Sequence, residues 1–236
     1  MLFKSFSEKT NTTLGRLSPA RRIFLSFALV IFAGSLLLSL PFVQATSSQA
    51  TYFDHLFTAV SMVCVTGLFT QPVATTYNIW GQLICMFLIQ IGGLGLMTFI
   101  GIFYIQSKQK LSLRSRETIL ESFSYGETQS LMVFIRSIFL TTFIVEGLGA
   151  FLLSFRFVPE FGWGRGIFTS IFVAISAFCN AGFDNFGSTS LVAFQTDPLI
   201  NLVIAGLIIT GGLGFMVWFD LATQIGKKKK RRLRFH

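Results

Sequence analysis

The sequence predicts an all-α membrane protein with four transmembrane helices and two shorter re-entrant helices, arranged as two parallel repeats. Three observations predict it. The 236-residue chain is 52% hydrophobic and only 12% charged, where a soluble domain carries about 25% charge. Its apolar residues gather at 23–43, 79–104, 131–155 and 199–219, each run long enough to cross the hydrocarbon core as a helix of about 20 residues. The chain also repeats itself. FTAVSMVCVTGLF at 57–69 returns 115 positions later as FVAISAFCNAGFD at 172–184, with Phe57/Phe172, Ala59/Ala174, Ser61/Ser176, Cys64/Cys179 and Gly67/Gly182 in register. LIQIGGLGLM at 88–97 returns 119 positions later as LIITGGLGFM at 207–216, with seven of ten residues identical. A duplication at this scale governs the whole architecture.

Charge places these elements across the bilayer. Residues 1–20 carry Lys4, Lys9 and Arg16, and Arg21 and Arg22 adjoin the first run. Asp54 is the only formal charge from 23 to 106. The connector, 106–130, holds Lys108, Lys110, Arg114 and Arg116, and its LSLRSRETILES segment predicts a short amphipathic surface helix. The tail, 221–236, holds Lys227, Lys228, Lys229, Lys230, Arg231, Arg232 and Arg234. By the positive-inside rule the N-terminus, connector and C-terminus are all cytoplasmic. The protein is therefore expected in the cell membrane, in contact with lipid and crossing it several times. The repeats, 21–105 and 131–220, both start and end inside, so they are parallel and related by an axis along the membrane normal. The net charge of +9 follows this topology and does not indicate a nucleic-acid partner. The outer segments carry Asp54, Glu160, Asp184 and Asp197 against Arg156 and Arg165, which is mildly attractive to cations or ordinary loop charge. The first run exceeds a usual signal core and has an equivalent in the second repeat, so it is expected to be retained.

Within each repeat a shorter apolar segment separates the two long ones, at 52–63 and 167–178. About three helical turns reach roughly half the hydrocarbon thickness. Such a helix, entering from outside, directs the negative end of its dipole at the bilayer centre, which favours a cation. The chain must then return as non-helical backbone, which cannot face lipid and has to line protein or water. The returning residues are Cys64, Val65, Thr66, Gly67 and Leu68 in the first repeat, and Cys179, Asn180, Ala181, Gly182 and Phe183 in the second. Small residues around a glycine allow carbonyl oxygens to face an axis and replace the hydration shell of an ion. The repeats thus read as helix–pore-loop–helix units.

Other residues are weighed against plainer roles. Gly92, Gly93 and Gly95, with Gly211, Gly212 and Gly214, sit mid-span and suit close helix packing. Glu146 lies near the middle of the third span. An intramembrane carboxylate marks a functional site or a buried bonded pair, here either direct ion handling or bonding to pore-loop backbone. His55, beside Asp54, suits capping or packing. Trp80, Trp163 and Trp218 fit aromatic belts, and Asp220 an interface. Three cysteines without CxxC or Cys/His spacing give neither a zinc site nor a disulfide framework. A membrane enzyme using Glu146, Asp184 or Asp220 would need a nucleophile–base set or an HExxH motif, which the sequence lacks. No enzymatic activity and no covalent cofactor are expected.

The motifs VTGL, IGGLGLMTF, SLRSRETILES, ISAFCNAGFD and GGLGFMVW resemble the Trk/Ktr/HKT superfamily of potassium transporters, most closely its bacterial KtrB type, over nearly the whole chain. The resemblance implies a pore of four helix–pore-loop–helix repeats, each giving one filter glycine, with Gly67 and Gly182 as the first two. Glycine in the first loop goes there with potassium over sodium selectivity. Cys64 departs from the hydroxyl residue found in many relatives. KKKKRRLRFH resembles the family's linker into a third repeat. The expectation is therefore two of four repeats, completed by missing C-terminal repeats or by a second copy. The resemblance further implies a homodimer at full length, a cytoplasmic RCK-type nucleotide-binding regulatory subunit, and uptake of K+ with Na+ stimulation as an option. A non-conducting membrane scaffold and a Na+-permeable relative are the alternatives.

Overall fold

The computed structural model describes residues 19–95, 131–214 and 217–218. The amino terminus, the connector with its expected amphipathic helix, the basic tail and Asp220 lie outside the described residues. Those described are helical, and their one β feature is an isolated antiparallel bridge between Gln44 and Tyr77.

Helix α1 (Pro19–Leu38) ends five residues before the expected limit at 43. Leu40 precedes a proline and is extended at φ −68°, ψ 134°, and the chain turns through a 3-10 segment, Pro41–Val43. Helix α2 (Tyr52–Val63) has the bounds expected for the first short segment. Asp54, in its first turn, accepts from the Thr51 N–H at 2.7 Å and the Thr51 hydroxyl at 2.8 Å, as a capping box does. After the short α3 (Val73–Thr76), α4 (Ile79–Leu94) starts where Asn78 Oδ1 accepts from the N–H groups of Trp80 and Gly81. It stops at Gly95, whose φ is 77°.

Helix α5 (Leu131–Phe161) runs six residues past its expected end at 155. Arg156, a good helix former, lies in this extension with its guanidinium 3.0 Å from Asp197. Pro159 lies inside it near the C-terminus and leaves the Phe155 carbonyl without its i+4 N–H donor. Gly162, at φ 80°, then turns the chain directly into α6 (Trp163–Phe178). The second short helix therefore starts four residues earlier than expected. A 3-10 segment, Ser190–Phe194, leads to α7 (Pro198–Gly212), capped by Asp197 through the N–H groups of Leu199 and Ile200.

Helix α2 packs against α1 and α4, and α6 against α5 and α7. Helix α4 also packs against α6, so it touches both halves. The core between them is built from Ala59, Met62, Cys85, Ile89, Phe172, Ala174 and Phe178. Phe157, Phe161, Phe186 and Phe194 close one end of the second half, with ring centroids 5.2–6.2 Å apart. Outward-facing side chains are also large and apolar: Phe24, Leu29 and Phe32 on α1, Leu140, Phe143 and Phe151 on α5, Leu202 and Ile209 on α7. Exposed apolar surface on this scale marks a face that meets lipid or another protein. Among the described residues Arg136–Phe161 is the helix long and apolar enough to cross a bilayer. Ile23–Leu38, Ile79–Leu94 and Pro198–Gly212 are apolar but shorter. The expected inner end of the second span, 96–104, lies outside the described residues, as do 215, 216 and 219 of the fourth.

Candidate functional site

Helices α2 and α6 end in the same way. Cys64 and Cys179 are the C-caps, and Val65 and Asn180 follow in the left-handed region at φ 53° and 57°. The Val65 N–H donates to Met62 O and the Thr66 N–H to Ser61 O. In the second half the Asn180 N–H donates to Ala177 O and the Ala181 N–H to Ser176 O. Both pairs are Schellman closures. The next residues, Gly67 and Gly182, have φ of 74° and 70°, a region that glycine enters without steric cost. One residue further on, the Leu68 N–H donates to Ser61 Oγ at 3.0 Å, and the Phe183 N–H to Ser176 Oγ at 2.8 Å. One serine in each helix thus holds two N–H groups of the returning chain. Ser61 Oγ also lies 2.7 Å from Thr66 Oγ1. The sequence showed Ser61 and Ser176 only as repeat identities; their bracing role appears once the turns are seen.

The two returning segments meet. A Cβ added at Gly67 would lie 2.9 Å from Ala181 O and 3.6 Å from Gly182 Cα. One added at Gly182 would lie 3.5 Å from Gly67 Cα. Further along, the rings of Phe69 and Phe183 approach to 6.5 Å between centroids. The structure therefore brings Gly67 and Gly182 into contact, although 115 positions separate them. Among the described residues, no backbone N–H donates to the carbonyl oxygens of Val65, Thr66, Gly67, Asn180, Ala181 or Gly182. Cys64 is exposed, whereas Cys179 is buried.

The ends of the segments are tied down separately. Asp54 Oδ1 accepts from the Thr70 hydroxyl at 2.7 Å, joining the start of α2 to the far end of the first loop. That bond, followed by those from Thr51, holds the Asp54 carboxyl below its ordinary pKa. In the second loop Asp184 takes hydrogen bonds from the Ser190 hydroxyl and the Phe186 N–H. Asn185 Nδ2 donates to Gln82 Oε1 on α4 at 3.2 Å. His55 Nδ1 lies 2.9 Å from the Tyr77 hydroxyl and is buried. Trp80 and Trp163 are exposed at the starts of α4 and α6, and Trp218 Nε1 donates to Thr210 O.

Helix ends and glycines fit closely behind the loops. A Cβ at Gly92 would lie 2.5 Å from Val63 O, and one at Gly211 would fall on Phe178 O. A Cβ at Gly93 would strike Cys179, while one at Gly212 would have only Asn180 Nδ2 at 3.8 Å. Gly95 and Gly214 have positive φ, and among the described residues nothing lies within 4 Å of a Cβ at either. All six were expected in the middle of longer helices; the described helices instead end at this cluster. Glu146, on α5, is buried and accepts from Gln90 Nε2 at 3.0 Å, and Cys179 Sγ lies 3.9 Å from Gln90 Oε1. Its bonded partner is thus a side chain of α4, where pore-loop backbone was one of the two roles expected. Among the described residues no group of three His, Cys, Asp or Glu could hold a metal ion.

Comparison with known proteins places the chain in a family. Residues 18–235 match the family model described as "TrkH: Cation transport protein". The chain is 42% identical over 214 residues to the potassium/sodium uptake protein NtpJ of Enterococcus hirae, covering 91% of this chain and 47% of that protein. It is 39% identical over 206 residues to the Ktr system potassium uptake protein B of Bacillus subtilis, covering 87% and 46%. With the protein of the same name from Vibrio alginolyticus it shares 39% over 201 residues, covering 85% and 44%. The chain spans about half the length of these relatives. With the family model matched over nearly its whole length and a relative 42% identical over 91% of it, the chain belongs to the TrkH family of cation transport proteins.

Proposed function

We propose that this chain forms part of a channel-like potassium uptake transporter whose selectivity filter includes 64–68 and 179–183. The carrying observation is the contact of Gly67 with Ala181 and Gly182, made by two loops whose N–H groups are turned back onto Ser61 and Ser176. With those donors engaged, the carbonyls of Val65–Gly67 and Asn180–Gly182 are the polar groups left to face an axis. Backbone carbonyls in such a row replace water around a dehydrating K+. The C-terminal ends of α2 and α6 lie just beneath and add negative potential. Two loops supply half of a four-sided ring, so the filter is completed by two further loops from additional repeats or from a second copy.

Uptake of K+ is supported by the names of the relatives, two of which are potassium uptake proteins and one a potassium/sodium uptake protein. The outward apolar faces of α1, α5 and α7 suit lipid. The basic clusters suit a multi-pass chain with both termini cytoplasmic and the two repeats parallel. Homodimerisation at full length and a cytoplasmic RCK-type regulatory subunit fit the Ktr systems. Sodium stimulation is a further element of the proposal, resting on family resemblance alone.

The test is potassium uptake by uptake-deficient cells expressing the protein at full length. Gly67→Asp and Gly182→Asp are each expected to abolish uptake at unchanged membrane abundance, since a side chain at either site enters the other loop. Intact uptake in both variants would show that these loops do not carry the ion.

A further inference from the structure

Glu146 lies on α5, buried, and its carboxylate meets the amide of Gln90 on α4. A carboxylate oxygen accepts a hydrogen bond, so it fixes which end of the Gln90 amide faces it. The NH2 group turns to Glu146, leaving Oε1 for the thiol of Cys179 at 3.9 Å. Cys179 is the C-cap of α6 and the first residue of the second loop. Eight residues earlier on the same helix, Gln82 takes the Asn185 amide at the other end of that loop. Eight residues are about 12 Å of helix and little more than two turns, so the two glutamines share one face of α4. A side chain of the first half thus braces the second loop at each end.

The repeat does not reproduce this brace. At the 119-residue spacing, Ile209 stands in place of Gln90 and is exposed, and Asn201 in place of Gln82 bonds only to nearby backbone. Cys64, the counterpart of Cys179, is exposed. The contact therefore belongs to one loop, with a defined chain of donors: Cys179 thiol to Gln90, and Gln90 amide to Glu146.

We propose that Glu146 is a positioning residue for the second filter loop, acting through Gln90 on Cys179 and never meeting the ion itself. The role rests on the filter assignment for its effect on selectivity, but not for its effect on the loop. Replacing Glu146 by leucine removes the acceptor that orients Gln90 and leaves a buried amide unpaired. The start of the loop is then free to shift, which displaces its carbonyls without touching their chemistry.

Two readouts on the full-length protein test this. One is the accessibility of Cys179 to N-ethylmaleimide, resolved from Cys64 and Cys85 by peptide mass spectrometry. The other is K+ over Na+ discrimination in uptake. Glu146→Leu and Gln90→Leu are each expected to speed Cys179 labelling and lower discrimination by about fivefold or more, the effect of losing one buried hydrogen bond. The double variant is expected to be no worse than either single one, because the two residues act as a unit. Glu146→Gln, which keeps a carbonyl oxygen for Gln90, is expected to stay within about twofold of the parent. Unchanged labelling and discrimination in Gln90→Leu would overturn the proposal, and so would additive losses in the double variant. If Glu146→Leu fails to reach the membrane, Gln90→Leu and Glu146→Gln still decide it. If Gly67→Asp and Gly182→Asp both leave uptake intact, the filter assignment falls while the labelling experiment still tests the brace.

Discussion

Val65 is a β-branched residue held at φ 53°, where a side chain ordinarily clashes with its own backbone. Its counterpart Asn180 sits at φ 57° and belongs to the small group of residues that tolerate this region. The strain persists at Val65 because the Schellman bonds and Ser61 fix the chain on both sides of it. Val65→Asn is therefore expected to raise thermal stability by about 1 kcal/mol, read by unfolding in detergent. A loss of stability would mean that packing of the valine outweighs the backbone strain. The glycines at 67 and 182 were legible in the sequence because the repeat aligned them. Their contact was not, since it depends on the relative placement of two loops that no local pattern encodes. Ser61 and Ser176 were legible as identities and illegible as braces. A serine two residues before the last helical residue acquires that role only when the chain turns back over it.

Among the elements, α2 was the most readable: the apolar segment at 52–63 gave its bounds, while the Thr51 and Asp54 cap at its start was seen only in the structure. The same carboxylate gives the element its pH dependence. The Asp54 pKa is lowered in the folded state by Thr70 and Thr51, so its contribution is fully present above the ordinary carboxylate pKa. It is lost as pH falls through the lowered folded value. Thermal stability of the parent is expected to decline over that acidic range, and Asp54→Asn to flatten that part of the profile. An identical profile in both would remove Asp54 from the account. The joint between α5 and α6 was unreadable for a different reason. The apolar run stops at 155, but loss of hydrophobicity does not end a helix. Arg156 carries α5 onward and pairs with Asp197, 41 positions away, and Gly162 then makes the turn. On α7, Gly211 touches the last carbonyl of α6 while Gly212 has room. Gly211→Leu is expected to destabilise by about 1–3 kcal/mol through overpacking, and Gly212→Ala by less than about 0.5 kcal/mol. Equal effects in thermal unfolding would contradict the close approach at Gly211.

At the scale of the molecule, large apolar side chains lie both inside and outside. Composition alone carried that much: 12% charge and 29 phenylalanines cannot cover a water-exposed surface. The position of Glu146 was also visible in the sequence as a costly carboxylate in an apolar helix. Its partners were not, because Gln90 and Cys179 come from two other elements. The central claim is that cations bind on backbone oxygens where the two loops meet. Crystals of the full-length protein grown with thallium in place of potassium test it most directly, through anomalous scattering. Peaks are expected beside the carbonyl oxygens of residues 65–67 and 180–182. Thallium bound elsewhere, with none beside these loops in an uptake-competent protein, would contradict it.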